Sequence, residues 1–132
     1  MFQDTAAAVS NVVIVEDSLN IQIALKYLVE SVSSLRVVAV EPAAATAIEW
    51  AKNHPGGWDI AVIDLMLAEG DGFEVIRRFS TQPDRGHIIV FSAYVTPVID
   101  RYCRELGADA VFHKDASAEM AQHIASLHSQ DY

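Results

Sequence analysis

Short apolar runs alternate with segments of helical periodicity along this 132-residue chain. Runs at residues 12–15, 60–63 and 88–91 are rich in Val and Ile, and a weaker run lies at 110–113. Uniformly apolar strands of this kind are typical of parallel sheets that are covered on both faces. A further strand is predicted at 35–40, and the segments between strands carry apolar residues at helical spacing. This strict alternation predicts an α/β fold, a doubly wound parallel sheet of five strands with five helices on its two faces.

Capping signals mark the ends of two of the predicted helices. Asp71 is expected to cap the third helix, and Glu74 is placed to complete a capping box. Thr96 precedes Pro97, a favourable pair for the start of the fourth helix. Gly107 is expected to end that helix.

Length and composition favour one independent domain. Residues 1–11 are interpreted as a short N-terminal tail, 12–128 as the domain, with a last helix at 116–128, and 129–132 as a C-terminal tail. The chain is therefore expected to stand alone, without an output domain.

The net charge of −9 argues against a nucleic-acid partner, because such surfaces need clustered Lys and Arg. No apolar stretch is long enough to span a membrane, and the N-terminus lacks secretion-like features. A single cysteine, Cys103, excludes an internal disulfide and fits a reducing compartment. The sequence therefore predicts a cytoplasmic protein.

Polar side chains follow the apolar runs at the points where the predicted strands end. Glu16 and Asp17 follow the first run, Asp64 follows the second, Ser92 the third, and Lys114 the weaker run at 110–113. The carboxyl ends of parallel strands meet at one edge of the sheet, where open α/β sheets bind ligands. Carboxylate oxygens are ligands that Mg²⁺ prefers, and a cation relieves the repulsion between clustered acids.

The same five side chains suit phosphoryl chemistry. Asp64 is the candidate nucleophile, since a carboxylate can attack phosphorus and form an acyl phosphate. The ammonium of Lys114 and a metal ion would stabilise the charge on the transferring group. The Ser92 hydroxyl can donate to another phosphoryl oxygen.

Five segments of the chain together resemble the receiver domain of two-component response regulators. The acidic pair lies in VVIVEDS and the aspartate in DIAVIDLML, followed by AEGDGFEVI. The hydroxyl lies in IIVFSA and the lysine in LGADAVFHKD. The similarity extends from about residue 11 to residue 127, and the roles occur in the family's order at the strand ends.

This resemblance implies strand order 2-1-3-4-5 and Mg²⁺-dependent phosphorylation of Asp64 by a histidine kinase or a histidine phosphotransfer protein. It implies that Glu16, Asp17, Asp64 and the backbone carbonyl of Met66 hold the metal. Ser92 and Lys114 would contact the phosphoryl group. The phosphorylated protein would dock to a downstream target through the face of the fourth helix, fifth strand and fifth helix, or relay the phosphate. Such a protein is expected to be a monomer or weak dimer.

Several positions depart from the family pattern. Ala68 stands where a proline is usual, and Asp115 follows the lysine where many members have a proline. Val111 replaces the aromatic switch residue, three positions before the lysine. The neighbouring Phe112 is expected to point to the opposite face of the sheet. Tyr94, two residues after the hydroxyl, is the alternative candidate for a mobile aromatic side chain.

Three other functions are considered. A degenerate receiver would bind a partner without phosphorylation, and the altered switch position favours it. A small Mg²⁺-dependent phosphohydrolase of the haloacid dehalogenase type also uses a strand-end aspartate, but it needs a second acid where this chain has Met66. A flavodoxin-like cofactor binder needs a phosphate loop where this chain has Glu16 and Asp17.

Overall fold

The computed structural model describes residues 9–130, with side chains for residues 9–127. Five strands and five α-helices alternate along the chain. They are β1 (Ser10–Val15), α1 (Leu19–Glu30), β2 (Leu35–Glu41), α2 (Ala44–Asn53), β3 (Ile60–Ile63), α3 (Gly72–Ser80), β4 (His87–Ser92), α4 (Pro97–Leu106), β5 (Ala110–His113) and α5 (Ser117–Gln130). A 3-10 turn, Lys114–Ala116, joins β5 to α5.

The strands form one parallel sheet in the order β2-β1-β3-β4-β5. The predicted fold class and strand order are confirmed. The chain reverses direction across the sheet between β1 and β3, because β2 lies on one side of β1 and all later strands lie on the other. A crevice at this switch point, outside the carboxyl ends of the strands, is where this architecture binds ligands.

The alternation of side chains along each strand supplies two cores. On β1, Val13 and Val15 lie in one buried cluster, which also includes side chains of α2, α3 and α4. Val12 and Ile14 lie in the second cluster, which includes side chains of α1 and α5. Helices on both faces explain why the strands are apolar at every position rather than at every second one.

The capping predictions are confirmed except for one bond. Asp71 accepts a hydrogen bond from the Glu74 N–H at 2.9 Å, and Thr96 caps α4 in the same way. The carboxylate of Glu74 pairs with Arg77 and Arg78, however, rather than completing the capping box. Arg77 and Arg78 can compete for the Glu74 carboxylate because residues three and four positions apart are neighbours on a helix.

Two boundaries differ from the predictions. β1 begins at Ser10, so the predicted tail of residues 1–11 is too long; Ser10 and Asn11 pair with Leu35 and Arg36. This start of the strand could not be recognised from the sequence, because the side chains of Ser10 and Asn11 are polar rather than apolar. α5 begins at Ser117, one residue later than predicted, and continues to Gln130, past the predicted end at 128. Residues 1–8 and 131–132 of the predicted tails lie outside the described residues. Among the described residues, no helix has the length and apolar character needed to cross a membrane.

Candidate functional site

Two backbone hydrogen bonds set the positions of the acidic residues at the ends of β1 and β3. Asp64 directly follows β3, and its N–H donates to the carbonyl of Val15 at 3.0 Å. Glu16 directly follows β1, and its N–H donates to the carbonyl of Glu41 on β2 at 3.0 Å. Continued pairing beyond the strands therefore brings both carboxylates to the same edge of the sheet.

Lys114 joins these two carboxylates. Its Nζ lies 3.0 Å from Oε1 of Glu16 and 3.2 Å from Oδ2 of Asp64. Both acids are almost completely buried, at 1% and 5% exposure. Buried carboxylates need compensation, because an uncompensated charge in the interior is strongly unfavourable. The lysine at the end of β5 supplies that compensation from the far side of β4.

Burial dominates the electrostatics of Glu16. It raises the pKa of the Glu16 carboxyl, outweighing the Ser18 N–H and the Lys114 ammonium, which both favour the ionised form; the charge of Asp64 adds to the rise. Burial by itself lowers the pKa of Lys114. The Glu16 and Asp64 carboxylates outweigh that effect, so the pKa of Lys114 is raised and its ammonium form is favoured.

Glu16, Asp17 and Asp64 form an acidic cluster with the donor set of a cation site. One carboxylate oxygen of each residue lies within 4.8 Å of the other two. Oε1 of Glu16 is also the one buried side-chain polar atom, among residues with described side chains, that makes no hydrogen bond of good geometry, although it is ion-paired with Lys114. Oxygen donors this close, one of them without a hydrogen bond, fit a hard divalent cation such as Mg²⁺.

The loop after β3 folds back onto this cluster. The Ala68 N–H donates to Oδ2 of Asp17 at 2.8 Å, and the Met66 N–H lies 3.4 Å from Oδ1 of Asp64. Met66 also forms an isolated antiparallel bridge with Asp71, directly before α3. The backbone of this loop is therefore held beside the carboxylates.

Ser92 is the last residue of β4 and is completely buried. Ile63 pairs with Val90, so Ser92 lies two residues beyond that pair and Asp64 lies one residue beyond it. The Ser92 hydroxyl accepts a hydrogen bond from the Tyr94 N–H at 3.2 Å. The hydroxyl thus sits at the carboxyl edge of the sheet and accepts a hydrogen bond from the loop before α4.

The substituted switch position behaves as the strand alternation predicts. Val111 packs against the cluster that contains the α3 and α4 side chains. Phe112 packs against the opposite cluster, where its ring lies 5.4 Å from that of His123 on α5. Phe112 therefore does not replace the aromatic ring missing at Val111. Tyr94, at 60% exposure, is an aromatic residue in the loop that follows Ser92.

Two positioning residues escaped the sequence analysis. The Gln22 side chain donates to the carbonyl of Glu16 at 2.6 Å, so α1 holds the end of β1. Gly72 begins α3 so close to β3 that a Cβ there would meet the Asp64 carbonyl oxygen and lie 2.7 Å from Cα of Leu65. The capping role predicted for Asp71 gave no sign of this close approach at Gly72.

Comparisons with known proteins agree with this architecture. The family model of the response regulator receiver domain matches residues 12–125. The protein-glutamate methylesterase/protein-glutamine glutaminase 1 of Syntrophus aciditrophicus (strain SB) is 34% identical over 110 residues, which cover 81% of this chain and 31% of that protein. The chain thus spans less than a third of the length of that relative.

Solved structures show the same fold. A LuxR-family response regulator from Aurantimonas sp. SI85-9A1 superposes with a TM-score of 0.83 at 23% identity, covering 92% of this chain and 86% of that one. The response regulator domain of Thermotoga maritima CheB gives a TM-score of 0.79 at 19% identity over 92% and 95% of the two chains.

A chain from the CheX–CheY–BeF₃–Mg²⁺ complex of Borrelia burgdorferi gives a TM-score of 0.82 at 23% identity over 89% and 88%. At these identities, the likeness establishes the fold. The family itself follows from the match over residues 12–125, which covers most of the chain. This chain therefore belongs to the response regulator receiver domain family, the signalling domain of two-component systems.

Proposed function

We propose that this chain is a response regulator that accepts a phosphoryl group on Asp64 from a histidine kinase or a histidine phosphotransfer protein. The observation that carries the proposal is the position of the Lys114 ammonium, 3.0 Å from Glu16 and 3.2 Å from Asp64. This arrangement supports the proposal because the Asp64 and Glu16 carboxylates and the Lys114 ammonium lie in one cluster at the sheet edge, where a nucleophile, a metal ligand and a phosphoryl-binding cation would be needed.

The transfer would exchange one bond for another. An ionised oxygen of Asp64 attacks phosphorus, and the bond between phosphorus and the donor's imidazole nitrogen breaks. The imidazole keeps the electron pair and can take up a proton, and an acyl phosphate remains on Asp64. Lys114, already paired with that carboxylate, would turn to an oxygen of the arriving group and stabilise its negative charge.

Glu16, Asp17, Asp64 and the Met66 carbonyl are the residues that would hold Mg²⁺. When bound, Mg²⁺ would neutralise carboxylate charge and polarise the phosphoryl oxygens. Glu16 and Asp17 would orient the site through the Ser18 and Ala68 N–H groups that they bind. The chain is not proposed to act on an external substrate, and loss of the phosphoryl group would be slow self-hydrolysis.

The Ser92 hydroxyl would transmit the effect of phosphorylation from Asp64 to the loop before α4. It can donate its own proton to a phosphoryl oxygen, and a side-chain rotation towards that oxygen would move Oγ away from the Tyr94 N–H that donates to it. The loop before α4 would then move, and the family resemblance places the downstream docking face on α4, β5 and α5. The protein would work in the cytoplasm as a monomer or weak dimer, either docking to a target or relaying the phosphate.

One observation favours a second candidate, a receiver that binds its partner without phosphorylation. Val111, which has no ring, occupies the usual aromatic switch position, and Phe112 packs on the other face of the sheet. Coupling between the site and the output surface would then be lost, although the acidic cluster is intact.

Incubation with Mg²⁺ and a small phosphodonor, followed by intact mass measurement, tests the proposal. A gain of one phosphoryl group is expected with Mg²⁺ and not with a chelator present. Asp64→Asn should abolish the gain, whereas Asp59→Asn, at the opposite edge of the sheet, should keep it. Absence of a gain in the wild-type protein would favour the phosphorylation-independent candidate.

A further inference from the structure

Lys114 is the first residue beyond the pairing of β5 with β4. The last pair of that ladder joins Ser92 to His113. The chain then turns into the 3-10 segment Lys114–Ala116. The Lys114 ammonium stands at the end of a flexible four-carbon chain, so the point that it reaches depends on the backbone of this turn. The conformation of the turn therefore affects the contacts of Lys114 with the two buried carboxylates.

A ring nitrogen of His113 closes this turn. Nδ1 of His113 accepts a hydrogen bond from the Asp115 N–H at 3.0 Å. The bond joins a side chain to the N–H two residues later, so it encloses the backbone of Lys114. Asx-turns use the same pattern, with a side-chain oxygen of Asn or Asp as the acceptor. An acceptor at Nδ1 requires the neutral imidazole with its proton on Nε2.

The Asp115 carboxylate is a second group close to the His113 ring. Its Oδ2 lies 3.4 Å from Nδ1. The neutral ring that accepts the Asp115 N–H has no proton on Nδ1 to donate to this oxygen. The Asp115 side chain is also 93% exposed, so water and salt screen its charge. The backbone N–H, rather than the carboxylate, is therefore the group of Asp115 that holds the ring.

We propose that His113 is a positioning residue for Lys114. Its Nδ1 holds the turn in the conformation from which the Lys114 ammonium reaches Oε1 of Glu16 at 3.0 Å and Oδ2 of Asp64 at 3.2 Å. Without this acceptor the backbone of Lys114 would sample other conformations. The two buried acids would then lose part of their counter-charge, which is costly for buried carboxylates. The effect of His113 on the acids thus passes through the backbone of Lys114.

The position of Lys114 also matters for phosphoryl transfer, and this step rests on the proposed function. The Lys114 ammonium would stabilise the negative charge of the arriving phosphoryl group. A cation that is already in place does this better than one that must first be reoriented, because a preorganised group costs no reorganisation during the reaction. His113 is therefore expected to raise the rate of phosphorylation at saturating Mg²⁺ without touching the reacting atoms.

Three substitutions at position 113 separate the role of a hydrogen-bond acceptor from that of side-chain size. His113→Asn places Oδ1 close to the position of Nδ1 and keeps an acceptor for the Asp115 N–H. His113→Gln is closer to histidine in length, but its acceptor lies one bond further from the backbone. His113→Val removes the acceptor and suits a strand residue. The asparagine variant should behave as the wild-type protein does, and the other two should not.

A double-mutant cycle measures the dependence on Lys114 without any phosphorylation. Wild type, His113→Val, Lys114→Met and the double variant are unfolded in urea with a chelator at about pH 8, where a histidine side chain is ordinarily neutral. His113→Val should be more destabilising in the wild-type background than in the Lys114→Met background, by about threefold or more in the equilibrium constant for unfolding. The strand preference of valine is present in both backgrounds and cancels. His113→Asn should show no such dependence on Lys114.

The rate of phosphorylation is the second measurement. Intact mass is followed over time with a small phosphodonor and saturating Mg²⁺. His113→Val and His113→Gln should be phosphorylated about three- to tenfold more slowly than the wild-type protein, a change that corresponds to one net hydrogen bond. His113→Asn should keep the wild-type rate. The Mg²⁺ concentration that gives half the maximal rate should not rise in any of the three, because the acidic donors are unchanged.

Two variants serve as matched controls. Asp115→Ala removes the carboxylate and keeps the N–H that Nδ1 accepts. His87→Val makes the same substitution at the first residue of β4, at the amino-terminal edge of the sheet. Both should keep the wild-type rate, and His87→Val should have the same effect on unfolding with and without Lys114. Circular dichroism checks that every variant is folded; if His113→Val is not, His113→Gln takes its place in the cycle.

Several results would overturn the inference. Additive effects of His113→Val and Lys114→Met on unfolding would show that His113 does not act through Lys114. Equal behaviour of His113→Asn and His113→Val would exclude the acceptor, and a loss of rate in Asp115→Ala as large as in His113→Val would assign the role to the carboxylate. If the wild-type protein takes up no phosphoryl group, the proposed function fails, and the unfolding cycle alone decides the role of His113.

Discussion

Replacement of Lys114 by methionine removes the ammonium and keeps most of the apolar stem. In the wild-type protein this ammonium is the counter-ion of two buried carboxylates, Glu16 and Asp64. Without it, two negative charges with low exposure face each other and Asp17. We therefore expect Lys114→Met to destabilise the fold when no divalent cation is present.

The distances from the Lys114 ammonium to the Glu16 and Asp64 carboxylates give the size of the expected destabilisation. With an effective dielectric constant of about 20, each contact contributes about 5 kcal/mol of attraction before desolvation is counted. Removing one member of a buried ion pair costs about 3–5 kcal/mol, because the remaining charge is left uncompensated. The Lys114 side chain is 20% exposed, so water can reach the vacated space. The expected loss in the free energy of unfolding is therefore about 2–4 kcal/mol.

Urea unfolding at neutral pH in the presence of a chelator measures this loss. Lys26→Met is the matched control, since Lys26 pairs with Glu30 at 3.2 Å but is 53% exposed. Exposed pairs contribute little, so the control should lose about 0.5 kcal/mol or less. Equal losses in the two variants would refute the role of Lys114 as the counter-ion of a buried cluster.

Addition of Mg²⁺ extends the same experiment. A ligand that binds only the folded state raises stability in proportion to the logarithm of its concentration over its dissociation constant. A cation meets less opposing positive charge in Lys114→Met than in the wild-type protein. The gain in unfolding free energy on adding Mg²⁺ should therefore be larger in the variant. A smaller gain would place the cation away from Glu16 and Asp64.

Three further predictions follow from buried groups near or within the core. Because burial raises the pKa of Glu16 above 4.5, the folded state binds its proton more tightly than the unfolded state, and the contribution of Glu16 to wild-type stability falls as the pH rises above 4.5. Glu16→Gln removes this loss, so its unfolding free energy relative to wild type should rise as the pH increases above 4.5 in urea titrations; a constant difference would contradict the assignment. Gly72→Ala should cost about 3 kcal/mol or more in thermal or urea unfolding, because backbone atoms surround the new methyl group; near wild-type stability would be inconsistent with the close approach of α3 to β3. Burial raises the pKa of the Cys103 thiol to about 11, so a thiol reagent at mildly alkaline pH should label it only in denaturant, and rapid labelling of the native protein would show that α4 opens.

Strand positions and the convergence at the sheet edge could be predicted because they depend on local patterns. Uniform apolar runs define buried parallel strands, and the polar residue that ends each run marks the edge. Asp64 could be singled out because a carboxylate follows directly on a buried strand.

Other features depend on contacts between distant residues and had no local signal. The Ser10 side chain is polar, so the true start of β1 looked like part of a tail. Glu74 satisfied the pattern of a capping box, but two arginines on the same helix compete for its carboxylate. The need for glycine at position 72 arises from the packing of α3 against the end of β3, which no spacing along the chain reveals.

Localisation of the phosphoryl group tests the central claim most directly. After reaction with Mg²⁺ and a small phosphodonor, borohydride reduction converts an acyl-phosphorylated aspartate into homoserine, which tandem mass spectrometry places in the sequence. Conversion at Asp64, dependent on Mg²⁺ and retained in Asp17→Ala only at much higher Mg²⁺, is the expected result. Conversion at another acid, or at Asp64 with equal yield in a chelator, would contradict the account.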